Sequence, residues 1–229
     1  MSNVTSSINA EPPLRAAIIP VTPLQQNCTL FWCTQTNKAA LVDPGGDLHK
    51  LKDAVAKTGV ELEKILITHG HIDHCGEAGK LAKELGLKIE GPEEQDRFWI
   101  SRLDEDGKKY GVDGAVFEPD RWLIDGDQVT VGNLTLDVIH CPGHTPGHVV
   151  FYHEPSRLAI VGDVLFQGSI GRTDFPMGNH QHLIDAITQK LWPLGDDVTF
   201  IPGHGPTSQF GYERKHNGFV ADDVLAARG

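Results

Sequence analysis

The chain predicts an α/β protein in which two β-sheets pack together with helices outside, and three features carry that prediction. Strand and helix patterns alternate in the first half, antiparallel hairpins dominate the second, and a further helix and strand follow. At 229 residues, 39% of them hydrophobic, there is enough apolar material for one substantial core.

Residues 1–13 have neither the basic start nor the apolar run of a secretory signal and read as a flexible tail, which leaves 14–229 as one folded domain. Ala16–Ile19 and Cys28–Cys33 read as strands, and Ala39–Val42 as a third that stops at the turn cluster Asp43-Pro44-Gly45-Gly46. From Asp47 the period becomes helical. Leu48, Leu51 and Val55 share a face, Asp47 is placed to cap the start, and Gly59 to end it. Lys64–Ile67 is again a strand. The helix after it puts Ala78, Leu81, Ala82 and Leu85 on its core face and ends at Gly86. Val129–Val131 and Leu134–Ile139 flank the hairpin turn Gly132-Asn133. Val149–Tyr152 and Leu158–Val161 flank a Pro-Ser turn; a helix with Leu183, Ile184, Ile187 and Leu191 and the strand Val198–Ile201 follow. Arg97–Trp122, rich in Gly and acidic residues but carrying Phe98, Trp99, Tyr110 and Phe117, reads as a helix plus irregular cover beside a site.

Composition excludes several classes. No run approaches the ~18 apolar residues of a membrane span. Twenty Lys and Arg against 31 Asp and Glu give a net charge of −11, which argues against a nucleic-acid partner. Four cysteines make no disulfide framework, so a reducing cytoplasm is the expected compartment. The unusual number is 12 His.

Six of them fall in motifs. Thr68-His69-Gly70-His71-Ile72-Asp73-His74 begins where a strand runs out, the place where sites form in α/β sheets. His69 and His71, two apart, can point the same way in extended chain, with Gly70 permitting a tight turn. Asp73 and His74, in the first turn of the next helix, are offset toward a second point, a geometry suited to two ions side by side. Further His and Asp residues stand at strand ends among small residues: Cys141-Pro142-Gly143-His144-Thr145-Pro146-Gly147-His148, Gly162-Asp163, and Pro202-Gly203-His204-Gly205-Pro206. One such turn is commonplace; three, each presenting a potential ligand, are not. His49, His153 and His216 lie outside these strings and read as ordinary polar residues, and Cys75 and Cys141 as packing.

The order H-x-H-x-D-H, His, Asp, His resembles the metallo-β-lactamase superfamily, from about Leu14 onward. That resemblance implies a four-layer αββα sandwich in a single domain. It implies that His69, His71 and His144 hold one divalent metal ion, that Asp73, His74 and His204 hold a second, and that Asp163 bridges both. Within the superfamily, Pro-Gly-His-Thr-Pro-Gly-His, Gly171-Arg172-Thr173-Asp174-Phe175 and the segment around His204 are similar to single-domain type II glyoxalases, the hydroxyacylglutathione hydrolases. The implied substrate is a small-molecule glutathione thioester such as S-lactoylglutathione, with Asp73 and Asp163 acting through a metal-bound hydroxide.

Histidine and carboxylate without thiolate suit Zn²⁺ first, with Fe or Mn also compatible. Two ions ~3.5–4 Å apart can bring a shared water from a pKa of ~15.7 toward ~7. A thioester releases a thiolate whose conjugate acid has a pKa of only ~8.5, so no strong general acid is needed. At −11 the protein cannot steer an anionic conjugate with its overall field, and local cations must hold it. Arg172 is the first candidate, and Arg214, Lys215 and Asn217 the next. The chain has about 25 residues after His204, short of the helical domain that supplies glutathione contacts in two-domain relatives. The alternative is a mononuclear-iron persulfide dioxygenase, a relative that shares the Gly-Arg-Thr-Asp-Phe segment but binds one ion; His204 in its Pro-Gly-His-Gly-Pro setting favours two. A β-lactamase is disfavoured by Asp163, a nuclease by the acidic charge, and a non-catalytic metal-stabilised module by the complete ligand set.

Overall fold

The computed structural model describes residues 11–227. Of the tail expected over 1–13, residues 1–10 lie outside the described residues, while the Pro12 and Pro13 carbonyls accept hydrogen bonds from the Thr34 hydroxyl.

The first sheet runs β1 (Leu14–Val21), β2 (Gln26–Cys33), β3 (Lys38–Val42), β4 (Glu61–Leu66), β5 (Lys88–Glu90) in spatial order. β1–β3 pair antiparallel, and β3–β5 pair parallel. Helices α1 (Leu48–Thr58), α2 (Ile72–Cys75) and α3 (Ala78–Leu85) form the connections between the parallel strands. The covering segment contains α4 (Arg97–Ile100) and α5 (Leu103–Tyr110), then irregular chain to Trp122. The second sheet comprises β6 (Gln128–Val131), β7 (Leu134–His140), β8 (Val149–His153), β9 (Leu158–Gly162), β12 (Thr199–Pro202) and β13 (Ser208–Gln209), in spatial order 13-12-9-8-7-6. A small hairpin of β10 (Leu165–Phe166) and β11 (Ser169–Ile170) leads to α6 (His180–Ala186); α7 (Phe210–His216) and α8 (Asp222–Ala226) follow the last strand.

Three apolar clusters mark the three interfaces of a four-layer sandwich. Phe31, Val42 and Leu66 meet Leu136, Phe151 and Ile160 between the sheets. Leu30, Leu41 and Ile65 face Leu51, Leu81 and Ile100 on one outside. Val150, Val161 and Phe200 face Leu183, Ile187 and Phe210 on the other. Alternation makes this work: Val149 and Phe151 of β8 point to the inter-sheet core, and Val150 and Tyr152 to the helices. Strands covered on both faces therefore read as continuous apolar runs in the sequence.

Local departures have local causes. Asp47 stands at the start of α1 with φ 52°, and its carboxylate caps nothing; it accepts instead from the Thr22 amide and Lys50. Gly59 and Gly86 end their helices in the left-handed conformation as expected. Leu85, expected on the core face, is the last residue of α3 and is 41% exposed, while Ala78, Leu81 and Ala82 are buried. The strands β5, β10, β11 and β13, of two or three residues each, were too short to give a period.

Candidate metal centre

The ligand segments leave the carboxyl ends of β4, β7, β9 and β12 at one end of the sandwich. Backbone bonds close that end: the Val149 amide donates to Thr68, and the Asn27 amide to Gly203. Positive φ accounts for Gly143, Gly162 and Gly205, and close packing for others. A Cβ on Gly203 would lie 2.1 Å from Asp163 Oδ1 and 2.5 Å from His74 Cε1. Gly70, expected to permit a tight turn, keeps an ordinary negative φ; a Cβ there would meet Trp99 of α4 at 2.7 Å.

All seven ligands expected from the sequence come together. His71 Nδ1 lies 3.1 Å from His69 Nε2 and 3.0 Å from His144 Nε2, so three imidazole nitrogens face one point. Asp73, His74 and His204 form a second group, with His204 Nε2 3.1 Å from Asp73 Oδ2. Asp163 lies between the groups. One of its oxygens is 3.5 Å from His144 Nε2 and 3.7 Å from His204 Nε2; the other is 3.3 Å from His74 Nε2. Two of these facing atoms, His74 Nε2 and Asp163 Oδ1, are buried without a hydrogen-bond partner. An imidazole nitrogen and carboxylate oxygens crowded together with unmet bonding capacity are what a divalent cation satisfies, displacing any proton on the imidazole, so the donor set fits two such ions.

The outer nitrogens are set by residues that the sequence reading did not assign. Asp43 accepts from the Thr68 amide, from the Thr68 hydroxyl at 2.6 Å and from His74 Nδ1 at 2.8 Å. Thr68 Oγ1 in turn lies 3.1 Å from His69 Nδ1. One carboxylate thus orients a ligand candidate in each group and leaves both Nε2 atoms facing inward. His144 Nδ1 donates to the Arg172 carbonyl at 2.7 Å, and the Asp163 amide donates to His148 Nε2. Asp96, wholly buried, accepts from the Gly70 amide, the Thr145 hydroxyl and the Gly147 amide, and so ties the two histidine loops together. The available signal in the sequence for the first of these was an aspartate at a strand end, in the turn cluster Asp43-Pro44-Gly45-Gly46; Asp96 gave none.

Charge follows burial and neighbours. Burial holds His69, His71 and His144 below their ordinary range, which keeps them neutral, the form in which an imidazole can bind a metal. Burial would do the same to His74, but the Asp163 and Asp73 carboxylates raise it well above its usual value. Burial would lift Asp163 too; the surrounding imidazoles, His74 foremost, hold it far below the carboxylate range.

A cleft of about 530 Å³ opens over these groups. Trp99, Phe166, Phe175 and Leu24 give it apolar walls, and Arg102, Asp106, Lys109 and Arg172 its charges. The Arg97–Trp122 segment therefore covers the site as expected, as two short helices. Of the four substrate candidates only Arg172 lines the cleft, with its guanidinium on Asp174 through two bonds of 2.8–2.9 Å. Arg214 instead pairs with Asp222 and Asp196, and Lys215 is exposed away from the cleft. Asn217 is buried one helical turn from Glu213, donating to it and to the Ser169 carbonyl of the β10–β11 hairpin. The period of α7 turns this face to the hairpin and core. The four cysteines are buried and free, Cys75 and Cys141 within the apolar clusters. No described helix is long and apolar enough to cross a membrane.

A four-layer sandwich with paired His/Asp groups at one end defines a class of metallo-hydrolases, and the sequence profile of the metallo-beta-lactamase superfamily matches residues 21–204. The chain belongs to this superfamily. It is 42% identical over 205 residues to hydroxyacylglutathione hydrolase GloC of Haemophilus influenzae, covering 89% of this chain and 96% of that one. Two solved structures resemble it in sequence and shape. The BLEG-1 B3 metallo-beta-lactamase superposes with a TM-score of 0.82 at 32% identity, over 90% of this chain and 99% of that one. TTHA1623, in a di-iron-bound form, superposes with a TM-score of 0.79 at 31% identity, over 89% and 100%.

Proposed function

We propose that this chain is a two-metal thioester hydrolase that cleaves hydroxyacyl thioesters of glutathione, such as S-lactoylglutathione, to glutathione and the hydroxy acid. The observation that carries the reading is the position of Asp163, with one carboxylate oxygen within 3.7 Å of a ligand nitrogen from each group. His69, His71 and His144 would hold one ion and Asp73, His74 and His204 the other, with Asp163 shared. Zn²⁺ suits this donor set best, with Fe or Mn as the other candidates. The 42% identical hydroxyacylglutathione hydrolase supports the substrate class. The buried free cysteines fit a reducing compartment, the cytoplasm.

When bound, two such ions supply a nucleophile from water near neutral pH and a charge sink for the attacked carbonyl oxygen. The chain's own residues do the rest. Asp43, Thr68 and the Arg172 carbonyl keep the ligand nitrogens aimed inward. Trp99 and Phe175 pack edge-on against His71, with ring centroids 4.5 and 4.9 Å from its own, and give the floor of the cleft an apolar lining. A thiolate leaves without help from a general acid, because its conjugate acid has a pKa of ~8.5. The nearness of His204 to Asp73 favours this reading over a one-iron persulfide dioxygenase.

The test is metal analysis of the purified protein beside a panel of S-lactoylglutathione, glutathione persulfide with an oxygen electrode, and a chromogenic β-lactam. Thioester hydrolysis that disappears on chelation and returns with a divalent metal is the expected result. Turnover that survives emptying of both sites, or activity confined to oxygen uptake or to the β-lactam, would overturn it.

A further inference from the structure

The thiol end of the substrate has no obvious holder, since Arg172 is already matched by Asp174 and Arg214, Lys215 and Asn217 are turned elsewhere. The remaining charges in the cleft lie on α5 and just before it. Leu103 and Gly107 bury one face of this helix, and Gly107 packs so closely that a Cβ would meet the Val112 carbonyl at 2.6 Å. The other side presents Asp106 and Lys109 to the cleft, one turn apart. At that spacing two side chains are neighbours, ~5–6 Å apart at Cβ, yet these two do not pair with each other. The nearest cation to Asp106 is Arg102, whose Nε stands 3.9 Å away, beyond a good hydrogen bond. Lys109 makes no ion pair among the described residues; its ammonium rests 4.8 Å over the Tyr110 ring.

We propose that Asp106 and Lys109 form a subsite for an α-amino acid head group on the thiol half of the substrate, Asp106 taking the ammonium and Lys109 the carboxylate. The inference rests on the thioester reading for the acyl end and extends it to the thiol end. Opposite charges one turn apart complement a zwitterion. A thiol with a phosphorylated tail would set its negative charges against Asp106, and an uncharged thiol would leave both side chains unused. The overall −11 makes the point sharper, because Lys109 offers an unmatched positive charge where the field of the whole protein is repulsive to carboxylates.

The experiment is calorimetric binding of S-methylglutathione, which carries no thioester, to the metal-loaded protein. Lys109→Met and Asp106→Asn should each weaken binding about fivefold, the contribution of a partly exposed charge contact. N-acetylation of the probe should weaken binding to the unmodified protein by a similar factor and abolish the effect of Asp106→Asn. Lys109 is exposed, and Asp106→Asn keeps the shape of a side chain that is 13% exposed, so the variants should melt as the parent does; Lys109→Glu, with its reversed charge, should bind more weakly than Lys109→Met. No binding by the parent, variants that bind as it does, or an equal effect of Asp106→Asn on both probes would overturn the subsite. Because no turnover is needed, the binding pattern can hold while lactoylglutathione hydrolysis fails, which would sink the thioester reading alone. The reverse pair of results would sink the subsite alone.

Discussion

The metal-ligand cage and the α4–α5 wall of the same cleft are held in opposite ways. In the cage, His69, His74 and His144 each have an outer nitrogen fixed by a named partner, and His69, His74 and Asp163 are buried. On the wall, Arg102 reaches its carboxylates at 3.8 and 3.9 Å, Lys109 touches only a ring, and Tyr110 is 42% exposed. A cage proposed to hold two cations against water tolerates little rotamer freedom. A wall that must accept a substrate and release a product needs charges that are not already satisfied. The chemistry of the site is thus overdetermined, and its specificity rests on few contacts.

Changing one residue at a time should expose that asymmetry. Asp163→Ala removes the shared ligand and should take metal and activity together, with a loss on the order of 10³-fold or more; elemental analysis beside rate assays checks it, and metal retained at both sites would break the account of the cage. Asp43→Ala touches no ion, yet it frees His74 and Thr68 together. Metal affinity should fall ~10–100-fold in a competition titration with a chelator, and an unchanged affinity would mean that packing alone aims the imidazoles. Asp96 offers a pH test. Burial pushes its carboxyl up to about 7 against the pull of its three hydrogen bonds, with Glu93 adding to the rise. An acid raised in the folded state gives stability that is complete below the unfolded value near ~3.9 and lost as pH climbs through about 7. The melting-temperature advantage of the parent over Asp96→Asn should therefore shrink between pH 5 and 8, by on the order of 5 °C; an advantage that stays constant would place Asp96 outside the titration. Arg214→Ala, remote from the cleft, should leave kcat and KM for a glutathione thioester within about twofold, which separates it from the residues of the wall.

The cage was legible residue by residue and the wall only as a covering segment and Arg172, for a physical reason. Metal ligation restricts residue types to His and carboxylate and forces small residues beside them, so His69, His71, Asp73 and His74 announce themselves within six positions. His144, Asp163 and His204 repeat the same local pattern at strand ends. Arg214, Lys215 and Asn217 stood next after Arg172 as substrate candidates because they follow His204 closely. The helical period of α7 then sent Asn217 to the β10–β11 hairpin and Arg214 to Asp196 and Asp222. Asp43 sat in a stretch that read only as a turn, and Asp96 and Lys109 in one with no period to follow. Their roles depend on which distant chain they meet.

What the amino-acid order determined alone was the alternation that buries both faces of the strands, the helix ends at Gly59 and Gly86, and the set of groups able to bind a cation. Tertiary structure decided which carboxylate orients which imidazole and which charges are left unmatched at the mouth of the site. Ligand chemistry and burial are written in residue type and period, whereas pairing across 25 or 31 positions, as Asp43 makes with Thr68 and His74, exists only once the sheets have closed.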